Sequence, residues 1–156
     1  MSTPTQDSSF RITSAPNITY AQWDTERFET TSTAWTALPG ASIDLRLGQG
    51  APSYGAIFVA TFSAEALSSD QGGDGQGPLA ATVFFGDEQA EPLSSNHRYV
   101  TARGNPEWSS HTFIRVARFE PECAVRQVNA QVQLRVSNAD SGGVQNWVLK
   151  IERYNL

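Results

Sequence analysis

The sequence predicts an all-β protein, an antiparallel β-sandwich of jelly-roll type with about eight to ten strands, on three observations. The first is a strict alternation near the C-terminus. Val128, Ala130, Val132, Leu134 and Val136 fall on one parity; Asn129, Gln131, Gln133 and Arg135 fall on the other. A period of two places one set on a buried face and the other in water, which no helix does. The second is that apolar segments of strand length recur along the chain between clusters of Gly, Pro, Asn and Asp, and none has a 3.6-residue apolar period of helical length. The third is composition. Charged residues make up only 17%, so Ser, Thr, Gln, Asn and Gly carry much of the polarity, a mixture that suits pleated surfaces and turns better than exposed helices.

Taken in order, Met1–Ser9 reads as a flexible N-terminal tail, polar and without the apolar run of a secretory signal. Residues 10–156 read as a single β-sandwich domain, since one domain is the expectation for a chain of 156 residues. Phe10–Thr13 is extended and Pro16-Asn17 marks a turn. Ile18–Trp23 and Arg27–Ser32 form short strands in a threonine-rich stretch. Ala34–Ala37 is extended, Pro39-Gly40 is a turn, and Ser42–Leu47 alternates with Ile43, Leu45 and Leu47 on one face. After a Gly48–Pro52 loop, Tyr54–Glu65 is the most apolar strand. Its Ile57, Phe58, Val59 and Phe62 occupy both parities, so it is expected at the centre of a sheet or at an oligomer contact.

Ser68–Pro78 is a glycine-rich loop, Leu79–Phe85 the next strand, Gly86-Asp87 a turn and Gln89–Leu93 a short return strand. His97–Ala102 is extended and Gly104-Asn105-Pro106 breaks it. Ser109–Phe119 is a long strand with Phe113 and Ile114 as core candidates. Pro121–Ala124 turns the chain into the alternating strand, and Asn138–Gly143 is the last turn cluster. Val144–Tyr154 closes the domain, with Trp147, Leu149 and Ile151 on one face.

Charge narrows the function classes. The net charge is −5 and no basic cluster stands out, which argues against nucleic acid as a partner. The longest apolar-rich stretch, Ala56–Ala60, is too short to span a membrane. Cys123 is the only cysteine, so no intrachain disulfide forms, and its neighbours Glu120 and Glu122 disfavour a reactive thiolate.

The second half carries a recognisable succession of motifs. Ile57–Glu65 (IFVATFSAE) is followed by Ala81–Asp87 (ATVFFGD), then Trp108-Ser109-Ser110-His111, then the closing Trp147–Arg153 (WVLKIER). Over residues 26–156 this order resembles a broad group of uncharacterised bacterial β-sandwich domains with an FSAE-like strand end, an SH strand start and a W-x-L-x-[IV]-E-R closing strand. The chain departs from that pattern at Phe85-Gly86-Asp87 and at Phe119–Cys123. The resemblance implies a sandwich similar in outline to the compact jelly rolls of the C1q and tumour-necrosis-factor type, which commonly form trimers. It implies no activity.

Few residues offer chemistry. His97 and His111 are the only histidines, and no metal-ligand spacing such as H-E-x-x-H or C-x-x-C surrounds them. Gly72–Leu79 echoes the calcium-binding nonapeptide in one degenerate copy, in which Asp70 and Asp74 are the oxygen donors a loop calcium would use. A solvated loop is the preferred reading, and no cofactor is expected. Glu65, at a strand end, is expected to pair with Arg103 or Arg115 rather than with a second carboxylate such as Asp87 or Glu88. Trp23, Trp35, Trp108 and Tyr54 lie near turns, where flat aromatics serve a core, an interface or a sugar. Phosphate loops, dinucleotide fingerprints and the G-x-S-x-G elbow are absent from the sequence.

The resulting expectation is a non-catalytic, self-associating jelly roll with a structural or surface-recognition role, a homo-oligomer with a trimer preferred. Phe58 and Phe62 are its interface candidates. One alternative is a carbohydrate-binding module using Tyr54, Trp108, Asp70 and Asp74. Another is a polysaccharide-active enzyme, which requires His97, His111 and Glu65 to converge in one groove.

Overall fold

Ten strands build two antiparallel sheets in the computed structural model, which describes residues 15–46, 55–69, 79–93, 98–99, 108–121, 127–136 and 141–155. In chain order they are β1 (Ile18–Asp24), β2 (Phe28–Thr30), β3 (Thr36–Arg46), β4 (Ala56–Ser69), β5 (Leu79–Phe85), β6 (Glu88–Gln89), β7 (Arg98–Tyr99), β8 (Ser109–Phe119), β9 (Gln127–Val136) and β10 (Ser141–Asn155). There is no helix among the described residues.

The pairing is nested. β1 pairs with β10, β3 with β9, β4 with β8, and β5 with β6 and β7. The chain is thus one long antiparallel ribbon, and rolling it up lays β1-β10-β4-β8 in one sheet and β3-β9-β5-β6 in the other. That double wrap is the jelly roll the sequence predicts. β2 pairs with the first half of β10, and β1 with its second half.

The alternating segment is β9, and its burial follows the predicted parity: Val128, Ala130, Val132, Leu134 and Val136 are buried. Opposite it, Ile43 and Leu45 of β3 and Val83 and Phe85 of β5 are also buried. The other sheet contributes Phe58 and Phe62 from β4 and Trp147, Leu149 and Ile151 from β10. Phe58 stacks on Phe85 across the two sheets at 5.9 Å between ring centres and meets Phe119 edge-on at the same distance. Phe62 contacts Phe113 at 5.3 Å and Trp147 at 6.1 Å.

Several expectations need correction. Phe58 and Phe62 are 0% and 2% exposed and fill the space between the sheets, so they present no surface to a second chain. The apolar surplus of this strand is absorbed within one copy, because β4 is central and lies between β10 and β8. Ile114 faces outward and is 55% exposed, as it must be when its neighbours Phe113 and Arg115 face in. Pro39-Gly40 does not end a strand. β3 runs through it in a bulge between Ala37 and Ser42, with Gly40 at φ +82°, a conformation open to glycine. The Gln131 side chain of β9 donates to the carbonyls of Leu38 and Ala41, both at 3.0 Å, and replaces ladder bonds lost at the bulge.

The last strand starts earlier than the Val144 expected after the Asn138–Gly143 turn: Ser141–Gly143 already pair with Ser69, Ser68 and Leu67. Gly142 is needed at a close approach between the sheets, since a Cβ there would lie 2.8 Å from both Leu79 Cδ1 and Val136 Cγ1. The expected segments at Phe10–Thr13, Gly48–Pro52 and Gly104–Pro106 lie outside the described residues.

Candidate functional site

Of the sequence-predicted site residues, only some fall among the described residues. Tyr54, Asp70, Asp74 and His97 lie outside the described residues, as do Arg103 and Cys123. Glu65 and His111 sit on neighbouring strands, but the register pairs Ala64 with His111 and Glu65 with Ser110. Partners across a sheet share a face, and successive residues alternate. His111 therefore lies on the inner side with buried Ala64, whereas Glu65 lies on the outer side. These two side chains therefore do not share one groove. Asp87 and Glu88 are exposed in the β5–β6 turn of the other sheet, away from Glu65.

Among the described residues Glu65 pairs with amides, not with Arg115. A bulge in β10 between Gln145 and Val148 inserts one extra residue, and Asn146 takes a positive φ of 48° there. Gln145 and Asn146 then both donate to Glu65 Oε2, at 2.8 and 3.0 Å. The Gln145 bond, then the Asn146 bond, hold the carboxyl below its ordinary pKa. His111 Nε2 is 3.0 Å from the Ser109 hydroxyl, and partial burial lowers the pKa of its ring. This pair lies two residues apart on one strand.

The tryptophans divide. Trp147 is core. Trp35 is half-buried, edge-on to Phe84 at 5.8 Å and covered by the Arg135 guanidinium at 4.5 Å. Trp108 is half-buried with Arg27 over its ring at 4.9 Å, so one ring face is already occupied. Trp23 is 69% exposed on the outer face of the β1-β10-β4-β8 sheet, directly opposite Val148, itself 44% exposed.

A concavity lies between the sheets on the β8 side, with a volume of about 340 Å³. Phe62, Ala64 and Ala66 of β4 form one wall, and Leu79 and Ala81 of β5 form the opposing wall. β8 closes the side with Phe113 and Arg115, and His111 stands beside them. Small residues contribute to the space: Ala64, Ala66 and Ala81 all line it. Immediately beyond, the Glu91 backbone exchanges two hydrogen bonds with Val116, at 2.8 and 2.7 Å, and closes the β8 edge past Arg115.

Arg115 is the unusual member. It is 4% exposed and belongs to the inward parity of β8, with Phe113, Ala117 and Phe119. Nη1 donates to the neighbouring Ile114 carbonyl at 2.9 Å, and the guanidinium lies over the Phe113 ring at 4.7 Å. Nε has no acceptor, and Arg115 joins no ion pair among the described residues. Burial lowers its pKa. From the sequence Arg115 is expected only as a partner for Glu65. Its parity is the signal that marks it, because a charged residue on the apolar face of a strand has to be accounted for.

No group of three or more His, Cys, Asp or Glu side chains suited to a metal ion occurs among the described residues. No described helix is long and apolar enough to cross a membrane. No family model matches this chain, and no curated protein is similar to it in sequence at a significant level.

Proposed function

We propose that this is a non-catalytic jelly-roll protein that works through self-association and surface recognition. The observation that carries this reading is Trp23 on the outer face of the β1-β10-β4-β8 sheet. A tryptophan that is 69% exposed beside an exposed Val148 is costly to leave in water and well suited to a contact. Ile114, 55% exposed, adds to the same face two strands away from Val148. The core cluster between the sheets is built within one chain, so association leaves each copy folded as it is. A trimer is the preferred assembly, in keeping with the resemblance to bacterial sandwich domains of C1q and tumour-necrosis-factor outline.

Light scattering coupled to size exclusion tests this reading. The expected mass is about 51 kDa, three copies of the 17.0 kDa chain. Trp23→Ser is expected to reduce the mass towards that of one copy while leaving the β-type circular dichroism unchanged. A wild-type monomer at working concentrations overturns self-association and directs the search to a stand-alone binding module. For that module a glycan panel read by tryptophan fluorescence is the next measurement.

A further inference from the structure

The concavity beside β8 and the charge inside it point to a ligand. We propose that it binds a small carboxylate with an apolar tail, the carboxylate meeting Arg115 and the tail lying between Phe62, Phe113 and Leu79. The inference is independent of the self-association surface, which lies on the outer side of the same sheet.

Three observations carry it. Arg115 is buried, and a guanidinium does not relieve burial by losing its proton as a lysine or histidine does. A buried charge is ordinarily paired, and here neither a carboxylate among the described residues nor an acceptor for Nε is supplied. The side chain is also held in place: Phe113 lies under it and the Ile114 carbonyl takes Nη1, so little ordering remains to be done when an anion arrives. Finally, the space in front of it is apolar and of ligand size. Its volume of about 340 Å³ falls at the lower end of the roughly 300–1,000 Å³ of small-molecule sites, and phenylalanine, leucine and alanine make most of its wall.

The combination selects the ligand class. A bare inorganic anion satisfies the arginine but leaves the apolar walls wet. A neutral hydrocarbon fills the walls but leaves the charge unpaired. A carboxylate of about six to eight carbons does both, within a cavity of this size. The net charge of −5 makes general attraction of anions unfavourable, so binding has to come from the site itself.

Isothermal titration of the full chain with octanoate, octanol and acetate separates the contributions. Octanoate is expected to bind one to one, with octanol, which lacks the charge, and acetate, which lacks the tail, each at least about tenfold weaker. Arg115→Met, which keeps the packing and removes the charge, is expected to bring octanoate down to the level of octanol. Ala81→Leu fills the cavity from a half-exposed position on β5 and is expected to abolish both, with Arg115 intact. Equal binding of octanoate and octanol overturns the role of Arg115, and no binding of octanoate overturns the site. If Arg115→Met does not fold, the wild-type comparison and Ala81→Leu decide the question. Trp23→Ser is expected to bind octanoate as wild type does.

Discussion

Two arginines face inward from the same sheet and do different things. Arg153 on β10 is 9% exposed and Arg115 on β8 is 4% exposed. Arg153 Nη1 reaches across the sandwich to the Arg46 carbonyl of β3 at 2.6 Å and so ties one sheet to the other. Arg115 Nη1 reaches only the carbonyl next to it on its own strand. The difference lies in what the opposing sheet offers. β3 presents a strand end with a carbonyl, whereas β5 presents Leu79 and Ala81 across an open space. A buried guanidinium is structural where the fold supplies an acceptor, and available for binding where it does not.

The largest expected effect strikes the core between the two sheets, towards which both arginines face. Phe58→Asp places an unpaired carboxylate at a 0% exposed position between Phe85 and Phe119, and is expected to cost more than about 4 kcal/mol. The chain should then lack a cooperative urea transition; a soluble, cooperatively folded variant shows that this part of the core is not as described. Next come the arginines themselves. Arg153→Met leaves the Arg46 carbonyl without its donor, for an expected loss of about 1–3 kcal/mol. Arg115→Met removes a poorly compensated charge and is expected to be neutral within about 1 kcal/mol or stabilising. Urea midpoints of the two variants in parallel give the ranking, and the reverse order breaks the contrast.

The smallest effect is in pH. Both Glu65 and His111 have folded pKa values below their ordinary ones, Glu65 through amide hydrogen bonds and His111 through burial. The unfolded chain therefore binds more protons, and stability falls on acidification. The His111 contribution is present above about pH 6.5 and is lost as pH drops through its lower folded value. The Glu65 contribution is present above about pH 4.5 and is lost in the same way at lower pH. Glu65→Gln is expected to flatten the lower limb of a urea-midpoint profile against pH and leave the upper limb unchanged.

Much of the fold is legible in the sequence, because a half-buried strand records its own orientation. β5, β8, β9 and the second half of β10 are read correctly from residues such as Val83, Phe113, Val132 and Leu149. Pro39-Gly40 misleads because a bulge and a turn use the same residues, and only the distant Gln131 side chain makes the bulge tenable. The partners of Glu65 are 80 and 81 residues away, on a strand whose register is set by pairing rather than by local pattern. The cavity escapes notice for another reason. Ala64, Ala66 and Ala81 look like ordinary strand residues, and the space they leave exists only once three strands meet.

Asn146 makes β10 a strand that counts in two phases. Before it, Val144 points inward; after it, Trp147, Leu149 and Ile151 do, and the odd spacing from Val144 to Trp147 is reconciled only by the extra residue. Loss of that single residue would bring the halves into one phase, with Val144 and the Trp147 series on the same face of an unbulged strand, and would remove one of the two amides that hold Glu65. Loss of two adjacent residues would keep the phase difference between them. In β10 the reading of inside and outside is thus punctuated, and the punctuation mark is one asparagine.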